Sequence, residues 1–195
     1  MINNNKSRAL YYLFFLFFLY NCFAPSYKKL SIDDPDALLY MKDSLISKYG
    51  RSKPLLKSFA RAHNSAGISA MDKKDYSTAI EHFAKTQDLF PLDTIAKYNM
   101  LMVKGHTLHQ KGDKDSLWSA IENYSKAAQI RNNLGEPHYY IGLVYRKLGN
   151  KDFDLIIESY NKSLARTLND NIRSEVEIAK KVAMDREKNL KEFWK

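Results

Sequence analysis

Apolar residues recur three and four positions apart along most of this chain, and no stretch alternates apolar with polar as a half-buried strand would, so the pattern predicts helices throughout. The clearest stretch is residues 117–127, LWSAIENYSKA. The same pattern stands at residues 76–86 (YSTAIEHFAKT) and 153–163 (FDLIIESYNKS). Aligned without gaps, the copies share an aromatic residue or leucine at the start, an Ile-Glu pair, a Phe or Tyr two residues after the Glu, and a Lys two residues further on. A helix with one buried stripe needs a partner. Each copy follows a second apolar helical stretch that contains a glycine: Gly67, Gly105 and Gly142. Glycine inside a helix costs about 1 kcal/mol relative to alanine, so these positions predict close helix packing. Ala79 and Ala120 are the expected facing residues on the second helices.

Outside the three copies the pattern predicts two further helices. Asp34-Pro35 supplies a cap and a first-turn proline; Leu38, Met41, Leu45 and Tyr49 then form a stripe that stops at Gly50, which predicts one helix over residues 35–49. Pro54 opens the next helix, which runs to about Met71 and carries Gly67. At the other end, residues 171–194 read as one long helix with Ile172, Val176, Ala179 and Ala183 as its seam. Leu190, Phe193 and Trp194 reappear after a polar interruption and are expected to fold back on the core, with an exposed contact site as the alternative. The two flanking helices are expected to cover the ends of the array, as stacked repeats require.

A glycine in the first helix, an alanine in the second and an aromatic residue four positions after that alanine resemble the tetratricopeptide repeat, a helix-turn-helix unit of 34 residues. The third unit carries Ile141-Gly142, Tyr145 and Gly149 at family positions, and the second carries Gly105, Gly112, Ala120, Tyr124 and Ala127. The first has Gly67, Ala79, Phe83 and Pro91, with Lys74 where the family has its turn glycine. Ile156 stands at a position usually alanine, and residues 113–116 and 150–152 are read as insertions in the turns between helices. The resemblance implies an all-α fold, a right-handed α-solenoid of three units at about residues 60–93, 98–134 and 135–168. It also implies a concave groove lined by the first helices. Carried over position by position, the groove residues are Arg61, Asn64, Ile68 and Met71; Asn99, Met102, His106 and His109; and Tyr139, Leu143, Arg146 and Lys147. That mixture suits an amphipathic or acidic segment of another protein, bound as an extended peptide or an amphipathic helix. It does not reproduce the Lys/Asn/Arg carboxylate clamp of the chaperone-binding members.

The N-terminus changes where such a protein is expected to work. Lys6 and Arg8 precede an apolar run at residues 9–20 (ALYYLFFLFFLY), too short to span a bilayer, and Cys22 follows directly. This layout resembles the signal segment of bacterial lipoproteins, whose cleavage leaves a lipidated cysteine. Leu19 fits that motif, whereas Tyr20 and Asn21 stand where small residues are usual. The resemblance implies a signal segment at residues 1–22, a lipid on Cys22, a linker at 23–33, the folded domain at 34–195, and a place in the bacterial cell envelope, on the periplasmic or outer-membrane side. With one cysteine in the sequence no intrachain disulfide can form, so packing must carry the stability.

The net charge of +9 favours acidic partners or anionic surfaces. Export would separate the protein from nucleic acid, so none is expected. His106 and His109 share a helix face at i, i+3 spacing, but no cysteine or HExxH motif accompanies them; they are expected to line the groove in solvent rather than hold a metal. Glu81, Glu122 and Glu158 precede Lys85, Lys126 and Lys162 by four residues, the favourable order for helix ion pairs. No nucleophile elbow, phosphate-cradling glycine loop or spaced Ser/His/Asp set is present in the sequence, so no enzymatic activity and no cofactor is expected. The reading is a non-enzymatic interaction scaffold. The alternative is an envelope enzyme, or the accessory subunit of one, acting on cell-wall polymer.

Overall fold

The computed structural model describes residues 26–149 and 152–194. The expected signal segment with Cys22, and residues 150–151 of one expected turn, lie outside the described residues. Ten helices form among the described residues: α1 (Tyr27–Asp33), α2 (Pro35–Tyr40), α3 (Lys42–Tyr49), α4 (Lys53–Asp72), α5 (Tyr76–Leu89), α6 (Thr94–Lys111), α7 (Lys114–Ile130), α8 (Glu136–Leu148), α9 (Phe153–Leu164) and α10 (Asp170–Phe193). The only β feature there is an isolated bridge between Leu134 and Thr167, so the described chain is all-helical.

The chain divides into two compact units, residues 1–62 and 63–195, with the boundary inside α4. In the first, the sequence expectation needs two corrections. The segment read as a linker is helical from Tyr27, started by the Ser26 side chain, which accepts from the Lys28 amide. The single helix expected over residues 35–49 is broken at Met41, whose backbone (φ −82°, ψ 4°) turns the chain between α2 and α3. Only Leu38 and Leu45 of the expected stripe are buried, while Met41 and Tyr49 are exposed. Asp34 caps α2 through the Ala37 amide at 2.9 Å, and Gly50 ends α3, as the sequence indicates.

In the second unit each helix from α5 onward packs against the next in sequence. The contact that sets this arrangement recurs three times. A Cβ built on Gly67 would lie 2.5 Å from the ring of Phe83, and one on Gly105 or Gly142 would collide in the same way with the ring of Tyr124 or Tyr160. The glycines therefore make room for the aromatic ring on the second helix, four residues after Ala79 and Ala120 and on the same helix face as Phe83 and Tyr124. Those alanines are fully buried beside the rings in sequence.

The turns follow the same economy. Gly112 ends α6 in the left-handed conformation (φ 79°). Lys74 stands where the first unit lacks a glycine, and it adopts that conformation too (φ 61°), the only non-glycine with positive φ among the described residues. A side chain there costs about 1 kcal/mol or more. Residues 113–116, expected as a turn insertion, instead extend α7: Lys114 to Ser116 are its first turn, and Asp113 is its cap. Asp113 accepts from the Ser116 amide at 2.9 Å and from its hydroxyl at 2.6 Å, and these bonds hold its carboxyl down to about 2.

α10 packs through Val176, Ala179 and Ala183, as its seam predicts. Leu190, Phe193 and Trp194 do not fold back; Phe193 and Trp194 are 78% and 77% exposed. Beyond Ala183 the helix has no buried position, because Asp185, Arg186, Lys188 and Asn189 keep its last turns in solvent. Of the expected ion pairs, Glu122–Lys126 (2.5 Å) and Glu158–Lys162 (2.8 Å) close on exposed faces, each worth at most about 0.5 kcal/mol.

Candidate functional site, an aromatic cleft in the second unit

One concavity of the second unit is a cleft of about 630 Å³. Its walls are the end of α4 (Met71, Asp72), Lys74 in the turn after it, the start of α5 (Tyr76), the last turns of α6 (His106, His109, Gln110), one face of α8 (Glu136, Tyr139, Tyr140, Leu143, Lys147) and Glu175 on α10. Residues three and four apart share a helix face, which is how α8 brings Glu136, Tyr140, Leu143 and Lys147 to one wall.

His106 is the hub. Its Nδ1 shares a hydrogen bond of 2.9 Å with the Tyr124 hydroxyl, itself fully buried. Three rings surround the imidazole: Tyr76 stacks on it (5.7 Å, 23°), and Tyr140 and Tyr124 meet it edge-on at 4.4 and 5.5 Å. Tyr140 in turn stacks on Tyr124 at 5.4 Å and 20°. Burial pushes the His106 pKa down to about 4, with His109 adding to the effect, so the ring is neutral near pH 7. His109 is also lowered, by burial first and then by Lys147 and Arg146. Lys147 donates to the His109 carbonyl at 2.9 Å and joins α8 to the end of α6.

The far wall holds acids. Tyr139 donates to the Glu175 carboxylate at 3.1 Å, and burial together with that bond pushes its pKa up to about 12. Glu136 opens α8, and its pKa is raised by burial and by the neighbouring Asp72. Tyr140 is raised by burial and then by Glu136, Tyr139, Tyr76 and Glu175.

Of the groove residues expected from the sequence, Met71, His106, His109, Tyr139, Leu143 and Lys147 line this cleft. Asn64, Asn99 and Met102 do not; all three are buried, and Met102 belongs to the core with Tyr98, Leu117 and Tyr124. Ile68 and Arg146 are exposed but outside the lining. Arg61 belongs to the first unit, where it lines a separate hollow with Lys28, Lys53 and Lys57. Two expectations change. Tyr139, expected in the groove, is 8% exposed and packs against Tyr160 and Tyr140. His106, taken as a solvated histidine, is buried at the cleft floor. The sequence reading also missed Asp72, Tyr76, Glu136, Tyr140 and Glu175. Only Tyr140 carried a usable signal, because it sits four residues before Val144 and so shares a helix face with that apolar position.

Among the described residues no group of three or more His, Cys, Asp or Glu side chains is placed to hold a metal ion. No helix there is long and apolar enough to cross a membrane. No family model matches this chain.

Proposed function

We propose that this protein is a non-enzymatic interaction scaffold that seats a segment of another protein in the aromatic cleft. The observation that carries the reading is the lining itself: consecutive helix pairs and α10 contribute rings, two histidines and charges of both signs to one open concavity. Tyrosine clusters of this kind dominate protein-recognition surfaces because a rigid ring offers large apolar area and a polar edge together. His106 is neutral near pH 7 because it is buried, and its Nδ1 shares a hydrogen bond with the Tyr124 hydroxyl, which fixes the ring as part of the cleft floor.

The threefold Gly-to-ring contact and the sequential packing support a tetratricopeptide-like, right-handed solenoid as the frame for this cleft. The same proposal places the protein in a bacterial envelope, tethered by a lipid on Cys22, on the strength of the apolar run that precedes that cysteine. Cys22→Ala should abolish labelling by a fatty-acid analogue in growing cells; equal labelling of both forms would remove the tether and leave the cleft reading standing.

The cleft reading is tested by placing a photo-crosslinking amino acid at Gln110, on the cleft wall, and separately at Gln129, exposed on α7 away from it. A discrete adduct with one partner from Gln110 and none from Gln129 is expected. Equal adducts from both, or an adduct from Gln129 alone, would contradict it.

A further inference from the structure

The cleft carries a charge that the rest of the protein does not explain. The chain is basic overall, yet Asp72, Glu136 and Glu175 all open onto it. Glu136 is partly buried, and among the described residues neither it nor Asp72 has a cation at ion-pair distance. A carboxylate taken out of water without a counter-charge is a cost to the fold unless something else supplies one. The start of α8 offers partial positive charge, but burial, and then Asp72, outweigh it, since the Glu136 pKa is raised. The cleft lysines do not reach these acids. Lys147 is bound to the His109 carbonyl, and neither Lys147 nor Lys74 acts on Glu136. Beside the acids stand Tyr76 and Tyr140, packed on either ring contact of His106, and no positive group acts on the Tyr140 hydroxyl. Aromatic faces attract cations, most strongly where water is scarce.

We propose that this acid and aromatic end of the cleft takes a basic side chain of the bound partner, the ammonium of a lysine or the guanidinium of an arginine, held by Glu136 and Asp72 with the rings of Tyr76 and Tyr140 as its walls. The inference rests on the reading of the cleft as a protein-binding site and adds the partner's chemistry, which is the reverse of the acidic segment that net charge alone suggests. The carboxylates supply ion pairing and the rings supply a platform, so arginine, flat and weakly hydrated, is the better fit of the two.

The test titrates the full chain, in zwitterionic micelles, with N-acetyl-arginine amide and follows the tyrosine ring signals by NMR. Saturable shifts of Tyr76 and Tyr140 are expected, with no saturation by N-acetyl-glutamate amide. The Glu136→Gln, Asp72→Asn double variant should weaken the arginine probe by about tenfold, the loss expected of one desolvated ion pair, while Glu177→Gln, at an exposed acid of α10 outside the cleft lining, leaves it unchanged. Should the double variant melt early, Asp72→Asn alone, at an exposed position, carries the same comparison with a smaller loss. Absence of saturation in the unmodified protein, equal affinity in the variants, or equal response to the glutamate probe would overturn the proposal. If the arginine probe fails while the Gln110 adduct persists, only the basic-side-chain inference falls. If no adduct forms from Gln110, the cleft reading falls and takes this inference with it.

Discussion

Tyr124 and Tyr160 occupy matching places in two successive helix pairs and differ at one atom. Both are fully buried, and both press a ring against a glycine of the preceding helix, Gly105 and Gly142. The Tyr124 hydroxyl meets His106 at 2.9 Å; the Tyr160 hydroxyl has no hydrogen-bond partner among the described residues. In the first pair Phe83 fills the same place with no hydroxyl at all. The ring is thus what the helix pair requires, and the hydroxyl is a separate matter. It is used where the ring's edge reaches the cleft floor, as at Tyr124, and left idle at Tyr160.

The largest effect should come from the shared half of the comparison. Gly105→Ala forces a methyl into the Tyr124 ring within a closed core, an overpacking that costs about 3 kcal/mol, and Gly142→Ala should cost much the same against Tyr160. Gly149→Ala is the control, because no atom of the described residues lies near its Cβ and its φ of 176° is one that other residues adopt, so it should cost less than about 1 kcal/mol. Chemical denaturation of the three variants checks this; equal losses would mean that the rings do not fix the helix spacing.

Acid should act on the half that differs. The folded-state pKa of His106, about 4, lies below its ordinary value of 6.5, so the unfolded chain takes up the proton first. Stability is then full above about pH 6.5 and falls as pH drops toward 4. Going from pH 7.5 to 5 should cost about 2 kcal/mol. His109 and His138 are lowered as well and act in the same direction, whereas the raised Glu136 acts in the opposite one at the acid end. His106→Gln should flatten the slope between pH 7.5 and 5. An unchanged slope would place the effect on the other histidines.

The smallest effect separates the two tyrosines directly. Tyr124→Phe leaves His106 Nδ1 without its partner and should cost about 1 kcal/mol. Tyr160→Phe removes an unpartnered buried hydroxyl and should be neutral or slightly stabilising, by less than about 0.5 kcal/mol. Equal costs would show that the His106 contact contributes nothing.

This division also explains how far the sequence could be read. Helix packing left a periodic trace, because Gly105 and Tyr124 must recur in every pair for the backbones to approach, and the second-unit helices begin and end close to where the pattern puts them. The short turn at Met41 left none, since a stripe at positions 38, 41, 45 and 49 is the same whether or not one residue between two helices departs from helical geometry. The cleft was legible only on the helix faces that the repeat resemblance could number. Asp72 and Glu136 stand at helix ends, Tyr76 begins a second helix, and Glu175 comes from the flanking α10, so none of them falls on a first-helix groove position. Burial was the other blind spot: Asn64, Asn99 and Met102 occupy the expected register but are closed over by their neighbours.

The measurement that bears most directly on the account is the Gln110 crosslink repeated with the cleft filled. Leu143→Trp, on the α8 wall and only partly buried, should occupy the concavity with an indole while leaving helicity and melting unchanged. With the fold confirmed by circular dichroism, the adduct from Gln110 in intact cells should fall by about tenfold or more, as expected when one central contact of an interface is blocked. An adduct of undiminished yield in that variant would mean that the partner does not enter the cleft, and would contradict the account.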